Sequence, residues 1–394
     1  IAHLADIHIR KLHRFVEYRK VFKQLYKQLK QLKPDLIYIG GDVVHGKLDT
    51  SPEEVRMVAN FFLSLCKIAP TIVIPGNHDC NLNNKSREDT LSPIIDLVKK
   101  IDPHLHYWKK SGAYTYENVD FGVMSIYDRD KGGNQLTIGL PDPTKFTNEH
   151  KVALFHGGVD KHEYDNNFVV RDEHVKLDTF DGYDVVLLGD IHKRQFLNDE
   201  KTIGYPGSLI QQNFGERPSH GFLLWDLETK KAEYHPVKND YGFKIINVES
   251  GVIQNKMNFV PIKGRVKIKY WDTTLEQIKD IQMDLRRQYP KLKDVVTERQ
   301  DNLSIGDDRE NKLDIGDVRD INYQNELIED FLKRNAIGID DESIKRVKKI
   351  NELTNNSPEI YDGDITRNVD WKIKSFEFDN MFCYGKGNKI DFTK

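Results

Sequence analysis

Leu36-Ile37-Tyr38-Ile39-Gly40-Gly41-Asp42-Val43-Val44-His45 is a short apolar run that stops at two glycines and hands over to an acid and a histidine. A run this short, closed by turn residues, reads as a strand buried on both faces, the kind that parallel sheets contain. On its N-terminal side, Phe15, Tyr18, Phe22, Leu25, Leu29 and Leu32 recur at spacings of three and four. That is one stripe of an amphipathic helix, which Pro34 stops. Ahead of the helix, residues 1–5 read as a further apolar strand. On the other side, residues 52–67 read as a second helix, with Ser51 as N-cap and Glu54 three residues on, a capping-box pattern. Residues 71–74 form a third strand, which ends at Pro75-Gly76. Strand, helix, strand, helix, strand predicts a parallel α/β core.

From about residue 111 strands dominate, with candidates at 113–117, 121–126, 152–155, 185–188, 203–205, 222–227 and 232–236. A two-sheet sandwich layered with helices absorbs this many strands. Residues 1–240 are therefore read as one domain. Strands at 243–248 and 265–270 and a helix at 275–288 make a small α+β unit over 241–300. Residues 301–320 carry seven acidic and three basic residues with little periodicity, so 301–322 reads as an acidic linker. Two amphipathic helices, 324–333 and 342–353, form a pair within 323–357, and residues 370–394 are strand-rich again.

With 394 residues, 38% of them hydrophobic and 31% charged, the chain has room for two or three domains and a substantial core. Fifty-nine basic against 62 acidic residues exclude a simple polycation, so any nucleic-acid binding must come from local patches. Cys66, Cys80 and Cys383 are odd in number and far apart, which fits free thiols in a reducing compartment. No apolar run approaches the roughly 20 residues of a membrane span, and no signal peptide is evident. A cytoplasmic or DNA-associated intracellular location is expected, with no membrane partner. The chain opens on Ile1 inside a strand, so at least one preceding residue is expected.

Each core strand ends in groups of the type that bind metals. The first runs into Asp6-Ile7-His8, the second into Asp42 and His45, the third into Gly76-Asn77-His78-Asp79. Later, Leu154-Phe155 runs into His156-Gly157, and residues 185–188 run into Gly189-Asp190-Ile191-His192. In open α/β sheets ligands bind beyond the carboxyl ends of the strands, so these loops are expected to converge. Asp, His and one Asn carboxamide make a mixed nitrogen–oxygen set suited to manganese, iron or zinc, without the thiolates of a structural zinc site. Two ions about 3.5–4 Å apart, bridged by one carboxylate, activate a water and clamp a phosphate for in-line displacement; Asp42 is the natural bridge. Taken singly, an Asp-x-His is common by chance and Gly-Asn-His-Asp is an ordinary turn composition. Five such pieces in order, each after a predicted strand, favour a site. Residues 41–47 also fit the Gly-x4-Gly-Lys of a phosphate loop, but Leu48 stands where Ser or Thr must meet magnesium, so that reading is set aside.

Asp-x-His, Gly-Asp-x-x-His, Gly-Asn-His-Asp, His-Gly and Gly-x-x-His together resemble the signature of calcineurin-like metallophosphoesterases. Within that superfamily, His45, Tyr205-Pro206-Gly207-Ser208, Phe214-Gly215-Glu216 and Gly221-Phe222 leading into Asp226 resemble the SbcD-type nuclease subunit of DNA double-strand-break repair complexes. The resemblance covers residues 1–240 strongly and the next small domain loosely. It implies an α/β fold: a metallophosphoesterase β-sandwich layered with helices, a small α+β DNA-capping domain and a C-terminal helix pair. It also implies two divalent ions, manganese first, with magnesium, iron and zinc as alternatives. Asp6, His8, Asp42 and His192 would hold one ion, and Asp42, Asn77, His156 and Asp190 the other. His78, supported by His45, would face the scissile phosphate. The family has His where this chain has Asp190, which makes the second site harder and more negative.

The implied activity is a DNA exonuclease/endonuclease of an SbcCD-like repair and recombination complex. Its implied partners are DNA and an SbcC-type ABC ATPase, gripped through the helix pair at 323–357; a homodimer is also open to it. Residues 371–394 resemble the opening strands of such an ATPase, so a fused chain continuing beyond Lys394 is expected. Arg10, Lys11, His13, Arg14, Arg129, Lys131 and Arg194 are candidates for DNA phosphates, with a solvated surface as the plainer reading of each. The alternatives are a phosphatase of the same fold acting on protein or small-molecule phosphates, and a non-catalytic scaffold for an ATPase.

Overall fold

The computed structural model describes residues 1–10, 12–46, 50–82, 84, 87–128, 138–171, 173–255, 260–300, 321–335, 340–355, 375–378 and 388–391. Residues 301–320 of the predicted linker, together with Lys11, Lys47, Leu48, Arg129, Lys131, Cys383 and the tail segments 356–374, 379–387 and 392–394, lie outside them, while Ile321 and Asn322 at its end belong to a helix. The chain divides into two units, residues 1–302 and 303–394.

In the first unit, strands β1 (Ala2–Leu4), β2 (Ile37–Ile39), β3 (Thr71–Val73) and β4 (Leu105–Tyr107) run parallel in that order. A second sheet is built from β5 (Gly112–Tyr116), β6 (Val119–Met124), β7 (His150–His156), β8 (Val185–Gly189), β9 (Gln195–Phe196) and β10 (Ile203–Tyr205). Within it β6, β7 and β8 are parallel. Strands β11 (Gly221–Asp226) and β12 (Lys231–Pro236) return to the first sheet, β11 lying antiparallel beside β1.

The period of two along these strands sorts their side chains into layers. Tyr38, Ile72, Val152, Leu154, Val185 and Leu187 share one core between the two sheets. Ile37, Ile39 and Val73 pack outward against helices α1 (Phe15–Leu32), α2 (Pro52–Cys66) and α3 (Ser92–Lys99). Ala153, Phe155, Val186 and Leu188 face a third cluster on the far side. Parallel strands covered on both faces explain why they read as unbroken apolar runs.

Helix α1 buries Phe15, Tyr18, Phe22, Leu25 and Leu29, each worth roughly 1.5–3 kcal/mol against exposure. It ends where Lys33 turns left-handed (φ 50) ahead of Pro34. Helix α2 starts as expected, Ser51 Oγ accepting the Glu54 N–H at 3.2 Å. The return bond of the capping box does not form, and Glu54 Oε1 is buried with no hydrogen-bond partner among the described residues.

Residues 243–300 form a sheet with its own core. Strands β13 (Phe243–Glu249), β15 (Arg265–Trp271) and β16 (Asp294–Arg299) are parallel, and β14 (Val252–Ile253) sits antiparallel at the edge. Helix α4 (Leu275–Gln288) crosses from β15 to β16 and opens on a complete Thr274–Gln277 capping box. Its core includes Ile246, Val248, Val266, Ile268, Ile278, Leu285 and Val295.

The second unit contains α5 (Ile321–Asn335), α6 (Asp341–Asn355) and an antiparallel pair, β17 (Ser375–Phe378) with β18 (Asn388–Asp391). No helix among the described residues is long and apolar enough to cross a membrane.

Candidate metal centre

The loops after β1, β2, β3, β7 and β8 meet at one edge of the sandwich. Asp6 (φ 53), His8 (φ 48), Asp42 (φ 54) and Asp190 (φ 96) all have left-handed backbones, a conformation that costs a non-glycine residue about 1–3 kcal/mol and is held only where surroundings enforce it. Here a ladder enforces it. Asp6, His8 and Ile9 N–H groups donate to the carbonyls of Gly41, Asp42 and Val43 at 3.1, 2.9 and 2.9 Å. Ile7 and Ile9 are buried in the core on either side of His8. Glycine permits the close approach: a Cβ on Gly41 (φ 90) would lie 2.5 Å from His156 Nδ1, and one on Gly76 would lie 2.2 Å from the Asp42 nitrogen.

Asp42 lies between two groups. Its Oδ2 is 3.4 Å from His8 Nε2, and its Oδ1 is 3.4 Å from His156 Nε2. On the first side, His8 Nε2 is 2.9 Å from His192 Nε2, and Asp6, His8 and His192 offer ligand atoms within 4.8 Å of one another. On the second side, Asp6, Asp42 and His156 do the same, and Asp190 Oδ1 is 3.7 Å from His156 Nε2. The Asn77 side-chain oxygen is 3.1 Å from His156 Nε2 and 3.2 Å from both Asp42 oxygens. In that orientation several acceptors converge on one point, which a cation satisfies; turned over, the amide NH2 donates to the same atoms.

The outer nitrogens of the histidines set their tautomers. His156 Nδ1–H donates to the Gly40 carbonyl at 2.6 Å, and His192 Nδ1–H to Glu216 at 2.8 Å, turning both Nε2 atoms toward the site. Burial raises the Asp6 carboxyl to about 7, and burial together with Asp79 and Asp6 raises Asp42 well above the usual carboxylate range. Burial and the neighbouring His192, His78 and His45 push His8 well down. Burial alone would lower His192, but Glu216 and Asp6 outweigh it and hold it at about 9. Buried acids raised by their surroundings beside imidazoles of mixed shift are an environment that a divalent cation relieves. The donor set fits one.

His78 and His45 stack at the rim, ring centroids 4.8 Å apart and 15° from parallel. His78 Nδ1–H donates to the His45 carbonyl at 2.9 Å, and Arg10 Nη1 donates to His45 Nε2 at 3.0 Å. His8, His45 and His78 also lie within metal-sharing distance of one another. All nine residues singled out from the sequence (Asp6, His8, Asp42, His45, Asn77, His78, His156, Asp190 and His192) thus fall in one cluster.

Three neighbours were not assigned roles from sequence. Asp79, fully buried, accepts the Val44 N–H at 3.0 Å and the Gly76 N–H at 2.8 Å, pinning the second loop to the third. Burial raises it to about 7. Glu216 holds His192, and Gln212 accepts Arg10 on its carbonyl at 2.8 Å. Asp79 closes the quoted Gly-Asn-His-Asp phrase, so a signal for it was present; Glu216 lies 24 residues from its partner and had none beyond the Phe-Gly-Glu phrase. Among the basic candidates, Arg14 is no phosphate contact. It is buried, with Nε and Nη2 each 3.0 Å from Glu17, which Arg265 and Asn239 also reach. Arg194 lies over the Tyr234 ring at 3.7 Å.

Residues 1–194 match the model of the calcineurin-like phosphoesterase family. The two-sheet, helix-layered architecture is consistent with the fold of that family, a class that carries out metal-dependent phosphoester hydrolysis. Two viral proteins are similar to the chain. "Uncharacterized protein R555" of Acanthamoeba polyphaga mimivirus is 37% identical over 408 residues, covering 100% of this chain and 29% of that protein. "Putative phosphoesterase 244L" of Invertebrate iridescent virus 6 is 26% identical over 263 residues, covering 59% of this chain and 83% of that protein. The chain thus spans under a third of the length of its mimivirus relative.

Proposed function

We propose that the protein is a two-metal DNA phosphodiesterase, the nuclease component of an SbcCD-like repair complex. The observation that carries this reading is Asp42, whose two oxygens face His8 and His156 at 3.4 Å each, in the manner of a carboxylate shared by two sites. Asp6, His8, Asp42 and His192 would hold one ion and Asp42, Asn77, His156 and Asp190 the other, manganese first. Bound there, divalent ions supply an activated water and neutralise phosphate charge. The chain's residues do the rest. His78, its Nδ1–H spent on the His45 carbonyl, keeps Nε2 for the substrate, where in protonated form it stabilises phosphoryl charge or protonates the leaving oxygen. Arg10 orients His45 behind it.

The small α+β domain over 243–300, fixed to the core through Arg265 and Glu17, supports a polymeric substrate, since a phosphatase has no need of a second domain beside its centre. The resemblance of residues 371–394 to the opening strands of an ATPase supports an SbcC-type partner. The test is manganese-dependent digestion of linear duplex DNA, run beside a phosphopeptide and a cyclic nucleotide. DNA cleavage alone is expected. Turnover confined to the phosphopeptide or cyclic nucleotide would make this a phosphatase of the same fold, and no turnover of any of them a scaffold.

A further inference from the structure

Glu216 is buried, yet its carboxylate is surrounded by donors from one direction after another. Oε1 accepts His192 Nδ1–H at 2.8 Å and Asn213 Nδ2–H at 2.9 Å, and Oε2 accepts the Gln212 backbone N–H at 2.6 Å. A buried polar group with all its donors in place is held rigidly in one geometry. Its own carbonyl accepts Gln211 Nε2–H at 2.8 Å. That same Gln211 amide closes on the first strand of the small domain from both sides: Nε2–H donates to the Phe243 carbonyl at 3.1 Å, and Oε1 accepts the Phe243 N–H at 2.7 Å. One buried amide therefore staples β13 to the loop that carries Glu216. Phe214, on the same loop, meets the Phe243 ring edge-on at 5.0 Å.

We propose that Glu216 is a positioning residue for the metal ligand His192, and that residues 211–216 form a strap through which the small α+β domain holds that ligand in place by way of Gln211. The proposal rests on reading His192 as a ligand. A carboxylate on the outer nitrogen locks the imidazole tautomer and ring angle, and loss of such a partner costs roughly 10–100-fold in metal affinity. Through the strap, any displacement of the small domain is transmitted to the ligand as well.

The experiment is calorimetric titration of Mn2+ into the full chain and its variants, with apo melting temperature measured alongside. Glu216→Gln, which keeps the volume and removes the charge, is expected to weaken one of two Mn2+ sites by roughly ten-fold or more. In a His192→Ala background the same change is expected to leave the remaining site within about two-fold, because the two residues act as one unit. Gln211→Met is expected to weaken the same site, by less. Equal losses with and without His192, or none in either, would overturn the proposal; an unaltered Gln211→Met would overturn the link to the small domain. Should Glu216→Gln not fold, Glu216→Asp, which withdraws the charge by one methylene, is scored the same way. A wild-type chain that takes up no Mn2+ would instead bring down the metal reading itself, a separate and visible outcome.

Discussion

Asp42 Oδ1 accepts the backbone N–H of His78 at 2.8 Å, so the carboxylate between the two ligand groups and the imidazole at their rim are fixed to each other by one bond. Because that bond uses the main chain, it survives removal of the imidazole. His78→Ala is therefore expected to keep its full complement of divalent ions while turnover falls by roughly 10²–10⁴-fold, the range for loss of a general acid. Elemental analysis of the purified variant beside its kcat checks both halves. A missing ion would place His78 in the ligand shell with His8 and His45, which lie near enough for that.

Asp190 offers a carboxylate beside His156 at the second group, its Oδ1 3.7 Å from His156 Nε2. It sits half-buried with its N–H donating to both oxygens of Asp6 at 3.1 and 3.2 Å. Removing the carboxylate takes away a negative ligand but leaves that backbone contact. Asp190→Ala is expected to weaken the second ion by at least roughly ten-fold with little change in the first, and Asp190→His to move preference from hard toward nitrogen-loving ions. Competition between Mn2+ and Zn2+ followed by calorimetry measures both. Normal binding of two ions by the alanine variant would make Asp190 a bystander.

Glu54 carries a pH dependence that has nothing to do with the metal centre. Burial raises its carboxyl from 4.5 to about 7, so the folded state holds the proton more tightly than the unfolded one. Its contribution is then complete below about pH 4.5 and is lost as pH rises through 7. Glu54→Gln imitates the protonated form and leaves the Ser51 cap, which uses only the backbone of residue 54. It is expected to stabilise the chain at pH 8 by on the order of 2 kcal/mol and to be neutral at pH 4. Denaturant melts of both proteins at the two pH values decide it, and an equal gain at both would remove the titration from the explanation.

What could be read in advance follows from how each feature is encoded. The ligand loops were legible because buried parallel strands leave unbroken apolar runs, and each run stops at the residue that has left the sheet. The helices at 275–288 and 15–32 were legible from period and caps. Strand β4 was not, since His106 breaks the apolar run between Leu105 and Tyr107, and helix α3 was not, since eight residues hold too few periods to register. Strand β16 was hidden because Val295 is buried while its neighbour Val296 faces solvent, a pattern without the apolar run that marks the core strands. The burial of Arg14 is not legible locally, because nothing near it in sequence reveals that Arg265, 248 residues from Glu17, shares the same acid. Helices α5 and α6 run longer than the apolar stripes that announced them, since polar residues such as Asn322 and Asn355 extend a helix without marking it.

Polar contacts join helices α5 and α6. Lys348 pairs with Glu329, and Gln324 Oε1 accepts amide N–H groups of Asn351 and Asn355 at 3.1 and 2.8 Å. Ile344 is buried, while Leu327, Val347, Ile350 and Leu353 remain exposed, the last two by 61 and 64%. Fifteen-residue helices are marginal alone in water, and an apolar edge of this kind gains stability when something covers it. If an SbcC-type ATPase covers it, deleting residues 321–360 is expected to leave hydrolysis of short DNA intact. The same deletion should abolish association with that ATPase and any stimulation by ATP. Leu353→Glu with Ile350→Glu should do the same while keeping the helices. Size-exclusion chromatography of the mixed proteins gives the association, and digestion of a short duplex the activity. Co-elution of the deletion variant with the ATPase at unchanged affinity would refute the docking role, whereas loss of short-duplex activity would show that the pair serves the metal centre instead.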